Sequence, residues 1–210
     1  MSDYLEQDYT YLRKVTGIDL ETRPEVRIYD TELKFAKGSG ERNASRGALY
    51  RRGVLHVKPV TKLETENRFA QRLSYELSVA VFDQAIQHGC PQWLVHSFAV
   101  YHSGMMPELS PPTGRKVHYF SDLEQDIQAY PDPPRRQEVE YLLGTTMRFF
   151  VEKYGEEKAF RVFRKFDAIA PIEEVFNSSF GQEFGSIEQA WASFVVSAVG
   201  ELPSGEKRNK

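Results

Sequence analysis

One change of hydrophobic period, near residue 60, restricts the possible folds more than any other feature of this chain. Before it, apolar residues fall in short alternating runs; after it they recur at helical spacing almost to the end. Val26 and Ile28 alternate with charged neighbours, a pattern that predicts a half-buried strand. Gly47-Ala48-Leu49-Tyr50 and Val54-Leu55-His56-Val57 flank Arg51-Arg52-Gly53, which predicts a short hairpin. Ahead of these, Leu5, Tyr9 and Leu12 share one face of a predicted helix, and Gly38-Ser39-Gly40 reads as a loop. Strands first and helices afterwards is an α+β order, a small N-terminal β-sheet followed by a mostly helical part, rather than an alternating α/β one.

The helical part begins with Thr61 and Glu64 at capping-box spacing, followed by a stripe of Phe69, Leu73, Leu77, Ala80 and Val81 extending toward Gln87. Gly89-Cys90-Pro91 stops that helix, and a second is predicted over Gln92 to Ser103. Met105 to Val117, with Pro107, Pro111 and Pro112, reads as a loop. Ser121 and Glu124 repeat the capping-box spacing for a short helix that the prolines of Pro131 to Pro134 end. Further helices are expected through Val139, Leu143 and Phe150, through Ala159, Phe163 and Phe166, and through Ile187, Trp191, Phe194 and Ala198, the last opening at Ser186. Gly155, Gly181 and Gly200 are placed to end helices. Residues 1–202 read as one domain, with a helix and the β-rich part in 1–60 and the helical part in 61–202. Residues 203–210 read as a disordered polar tail.

The 27 basic and 30 acidic residues leave a formal net charge of -3, which gives no basic footprint for nucleic acid or an anionic membrane, so neither is expected as a partner. Cys90 is the only cysteine, which excludes an internal disulfide and a cysteine-rich metal cage. Met1-Ser2-Asp3-Tyr4-Leu5-Glu6 lacks the basic and apolar regions of a signal peptide, and no apolar run has membrane-spanning length. The expected compartment is the cytoplasm, unless the chain is a fragment of a longer exported protein.

Leu73-Ser74-Tyr75-Glu76-Leu77-Ser78-Val79, followed by Pro91-Gln92-Trp93-Leu94-Val95-His96-Ser97-Phe98-Ala99, resembles the two active-site helices of the peptidase MA-like, gluzincin (thermolysin-like) zinc metallopeptidases. In that family the first helix carries H-E-x-x-H: two histidines four residues apart grip one zinc ion and the intervening glutamate activates its water. The second helix supplies a glutamate as the third ligand. A strand pair with Gly47-x-x-Tyr50-x-x-Gly53 before the motif is similar to the family's order, as are the segments around Tyr154-Gly155, Val175-Phe176, Phe180-Gly181 and Trp191 after it. The resemblance covers Arg46 through Val195 and implies a zincin-like fold with two active-site-type helices.

The departures govern the function that the resemblance implies. Tyr75 and Val79 stand at the histidine positions and His96 stands at the glutamate position, so only the water-activating Glu76 is kept. Val79 has no donor atom and a neutral phenol is a poor zinc ligand; no metal and no other cofactor are expected. The expectation is a catalytically inactive pseudopeptidase whose partner is an unidentified peptide or protein. The alternative is a metal-dependent hydrolase with a site rebuilt around Glu76 and His96, to which His88, His102 or His118 would have to contribute.

Each residue also has a plainer reading. Glu76 shares a face with Leu73 and Ala80 and reads first as a buried structural carboxylate. His96 reads as a satisfied, metal-free histidine. Tyr141 resembles a tyrosine that the family places on a later helix facing the cleft, and is equally a core tyrosine. Met105 and Met106 read as gap fillers or an apolar lip, Arg51-Arg52 and Arg135-Arg136 as solvated turn pairs, and the many phenylalanines as core.

Overall fold

The computed structural model describes residues 1–40, 47–59, 69–86, 89–106, 109, 111–112, 119–129, 133–167 and 170–200. Nine α-helices, a 3₁₀ helix and one three-stranded sheet make up the described residues, so the architecture is α+β. The chain opens with α1 (Ser2–Thr16), whose buried Tyr9 and Leu12 face the core. β1 (Glu25–Ile28), β2 (Ala48–Arg51) and β3 (Val54–Val57) form the sheet in the order β1-β3-β2. β1 runs parallel to β3 with Val26 opposite Leu55; β2 runs antiparallel to β3 with Tyr50 opposite Leu55.

The predicted hairpin is β2–β3. Arg52 and Gly53 both have positive φ, 53° and 80°, the pair required by the two-residue turn that follows strand twist. The predicted strand at Val26 and Ile28 is β1, but it is not half-buried: all four of its residues are exposed, whereas Ala48 and Leu49 of the other edge strand, β2, are buried.

Gly38-Ser39-Gly40 is not a loop. α2 (Glu32–Ser39) ends there, capped at its start by the Thr31 hydroxyl accepting from Lys34 N and closed by Gly40. Gly38 is required by its neighbour, since a Cβ there would collide with the Tyr29 phenol. That phenol bonds His56 Nδ1 at 2.6 Å.

α3 (Phe69–Ala85) lies beneath the sheet, where Leu73 packs with Ala48, Leu55 and Val57 in a small core of their own. α4 (Gln92–His102) packs on α3 and on α6 (Pro133–Tyr154). The approach of α4 to α6 is close at Gly144, where a Cβ would meet the Met106 side chain and come within 2.9 Å of Val100 Cγ1. Met105 is buried and Met106 packs against the main core, so both fill gaps and neither forms a lip.

α5 (Phe120–Ala129) does not open with the Ser121–Glu124 capping box, because Glu124 is engaged elsewhere: its carboxylate accepts Trp93 N of α4 at 2.9 Å. The Ala159-to-Phe166 stretch is divided into α7 (Glu156–Arg161) and the 3₁₀ helix Val162–Asp167. α8 (Ile172–Phe180), for which an end is predicted but no helical stripe, closes in left-handed Gly181, the glycine placed to end a helix. α9 (Phe184–Gly200) starts two residues before Ser186. Arg135-Arg136 belong to the first turns of α6 and not to a turn between elements. The predicted capping box at Thr61, much of the proline-rich loop, His88, His118 and the tail lie outside the described residues.

The main core is aromatic. Trp93 and Phe120 stack with centroids 4.1 Å apart, Phe120 meets Trp191 at 4.5 Å, and Phe82 meets Phe163 at 4.2 Å. Complete burial of each such ring contributes about 1.5–3 kcal/mol, which makes this cluster the principal anchor of the helical part. Among the described residues no helix is long and apolar enough to cross a membrane.

Candidate functional site

A cleft of 230 Å³ opens between the sheet edge and the helices. α3 supplies Tyr75, Glu76 and Val79, which helical spacing puts on neighbouring positions of one face; α4 supplies His96. β2 contributes Leu49 and Tyr50. The far wall is Asp126 and Ile127 of α5 with Arg136, Val139, Glu140 and Leu143 of α6. The structure therefore brings residues 75, 76, 79 and 96 together. It does not bring Tyr141, which lies on α6 but is not among the residues that line the cleft.

The Glu76 side chain is only 3% exposed. Its Oε2 accepts the backbone N–H of Tyr50 at 2.9 Å. β2 is an edge strand, so this carboxylate satisfies a strand N–H that has no sheet partner on that side. Arg72, one helical turn before Glu76, places Nη1 3.9 Å from Oε1. Arg72 also donates from Nη1 and Nη2 to Glu140 Oε1, each at 3.1 Å, and its guanidinium lies over the Tyr75 ring at 4.9 Å. Burial works against the Arg72 charge, but the carboxylates of Glu140 and Glu76 outweigh it and hold the guanidinium above its usual pKa. Glu76 is thus held by a backbone N–H of β2 and by the Arg72 guanidinium.

His96 is half-buried, and its Nδ1 lies 2.6 Å from the Tyr75 hydroxyl, with the two rings 5.7 Å apart. Tyr50 lies across the cleft with its hydroxyl donating to Asp83 Oδ2 at 2.7 Å. Its phenol is pushed up to about 12, first by burial and then by the Asp83 carboxylate.

The donors do not fit a zinc ion of the family type. Val79 offers no donor, and the phenol at 75 is hydrogen-bonded to the imidazole at 96 instead of leaving a gap for a cation between them. His102 is turned to α1, where its Nε2 meets Asp8 Oδ1 at 2.8 Å, so it cannot join a rebuilt site. Among the described residues no group of three or more His, Cys, Asp or Glu side chains is disposed to hold a metal ion.

Glu140, Asp126 and Arg136 in the cleft wall are not singled out in the sequence reading, nor is Arg72, which braces Glu76 and Glu140 behind it. The Arg72–Glu76 spacing of four is a helical ion-pair signal that pointed to Arg72. Glu140 carries no local signal, since it meets Arg72 across 68 positions of sequence through the packing of α6 beside α3. No protein-family model, curated protein or solved structure matches this chain.

Proposed function

We propose that this chain is a pseudopeptidase: a metallopeptidase-like scaffold without the zinc or the hydrolytic activity, whose cleft takes up an anchoring side chain of a peptide or protein. The observation that carries the reading is the 2.6 Å hydrogen bond between Tyr75 and His96, two of the positions that would have to hold the ion. Glu76, the one retained residue, is engaged by Tyr50 N and flanked by Arg72, contacts that favour a fixed ionised carboxylate over a mobile general base.

Size favours a single side chain over a whole small molecule. At 230 Å³ the cleft is below the range of about 300–1,000 Å³ usual for small-ligand sites. Its walls mix Leu49, Val79, Ile127, Val139 and Leu143 with polar groups, as an anchor pocket requires.

Metal analysis of the purified protein, combined with hydrolysis assays on a peptide library, tests this. The expected result is no stoichiometric zinc and no hydrolysis. Chelator-sensitive hydrolysis that disappears in Glu76→Gln would establish the metal-dependent hydrolase instead.

A further inference from the structure

The two edges of the sheet differ. On the β2 side the outward N–H of Tyr50 is taken by Glu76. On the β1 side, Tyr29 N donates to Val57 O of β3, so Glu25 and Arg27, at alternate positions of the same parallel register, also turn their backbone groups toward β3. Val26 and Ile28 therefore turn N–H and C=O outward, where these groups meet no hydrogen-bond partner among the described residues. Beneath this edge lies a recess of 110 Å³, lined by Leu5 and Tyr9 of α1, Leu77 of α3, and Pro24 and Val26. Val26 stands opposite Leu55 and shares the sheet face that Leu55 turns toward Leu73. The core thus reaches the open edge with no strand over it.

The order of side chains along β1 complements its own reverse. Glu25 and Arg27 lie on one face, on either side of Val26, and are hydrogen-bonded to each other. A second β1, antiparallel and related by a two-fold axis at Val26, sets Glu25 opposite the second copy's Arg27 and Arg27 opposite its Glu25. In that register the two Val26 residues exchange N–H···O bonds, and each Ile28 N–H meets the C=O of the other copy's Pro24. Pro24 has no N–H to offer and ends the ladder there. The second copy's Ile28 comes beside Pro24 at the mouth of the recess. Moving the axis by one residue either way sets Glu25 against Glu25 or Arg27 against Arg27, which cross-strand pairing disfavours.

We propose that the outer edge of β1 is a self-association site, at which a second copy of this chain adds its own β1 and joins the two sheets into one. The edge shares no residue with the cleft, so this association is independent of what the cleft binds. A strand this short buries little surface, and the dimer is a weak, concentration-dependent one.

Sedimentation of the full chain over a concentration series reaching the millimolar range tests this, with two charge variants. Glu25→Lys sets cation against cation across the axis, and Arg27→Glu sets anion against anion. Both positions are exposed, so both variants keep the fold. Each alone is expected to associate about tenfold more weakly than the wild-type chain. Their equimolar mixture restores both opposite-charge pairs and should recover wild-type association. Amide exchange at Val26 and Ile28 should slow as the wild-type dimer forms. A chain that is monomeric throughout, single variants that associate as the wild type does, a mixture no stronger than its components, or a dimer that leaves these two amides unprotected overturns the proposal.

Discussion

Glu124 of α5 accepts the backbone N–H of Trp93 in α4 at 2.9 Å, and so caps a helix to which it does not belong. Glu188 of α9 does the same for Phe120 at the start of α5, at 2.8 Å. The two capped residues stack on each other with their rings 3° from parallel. This relay of borrowed caps ties α9 to α5 and α5 to α4, and fixes the N-terminal end of the helix that carries His96.

Removal of either cap leaves a helix N–H unsatisfied. Glu124→Ala and Glu188→Ala are each expected to lower stability by about 1–2 kcal/mol in urea denaturation. Since the caps communicate through stacked rings, the double variant should depart from additivity by about 0.5 kcal/mol or more. A simple sum would show that the caps act independently.

Arg72 has a side chain only 17% exposed and depends on Glu140 for its close contacts. Glu140→Ala leaves that charge only its 3.9 Å contact to Glu76 and should cost about 3 kcal/mol. Made on a Glu76→Gln background, so that no buried carboxylate loses its cation, the double variant Arg72→Met with Glu140→Leu removes the remaining charges and should recover most of the loss in the same denaturation assay. If the single and double variants are equally unstable, the damage comes from lost packing and not from an unpaired cation.

Tyr50 has a folded pKa of about 12 against 10.0 for the free phenol, so the fold favours its neutral form. The resulting stability is complete below pH 10.0 and is lost as the pH rises through about 12. The wild-type chain should therefore lose stability across this interval relative to Tyr50→Phe. Denaturation midpoints of both proteins, measured on either side of pH 10.0, check this directly; parallel profiles would contradict it.

The resemblance to metallopeptidases can be tested by rebuilding. Combining Tyr75→His, Val79→His and His96→Glu restores a two-histidine, one-glutamate donor set on α3 and α4. This triple variant is expected to bind zinc at one ion per chain, read by competition with a chromogenic chelator, while the wild-type chain does not. A folded triple variant without zinc affinity would show that the two helices are not set at the family's spacing.

The α+β order was legible because it depends on hydrophobic period alone, and period reports local geometry. The shared face of Tyr75, Glu76 and Val79 follows from the helix itself. The misreadings have tertiary causes. α2 was hidden because Gly38 is needed for the Tyr29 phenol, which no local rule reveals. The Ser121–Glu124 spacing was a valid local signal, overridden when Glu124 was taken by Trp93 N. β1 alternates as a half-buried strand should, yet it packs chiefly on β3 while β2 also packs on α3, and Ile28 is left 51% exposed. The Arg72–Glu140 pair exists only because two helices distant in sequence pack side by side.

Tyr75, Glu76 and His96 already have internal companions inside the cleft. A guest rich in polar atoms must break one such attachment for each that it makes, and the exchange leaves it little net gain. A plain hydrocarbon side chain presses on Leu49, Val79, Ile127, Val139 and Leu143 without any exchange. For the guest proposed above, discrimination at this cleft would then rest on shape and apolar contact, with the polar floor working against guests that compete with its internal bonds.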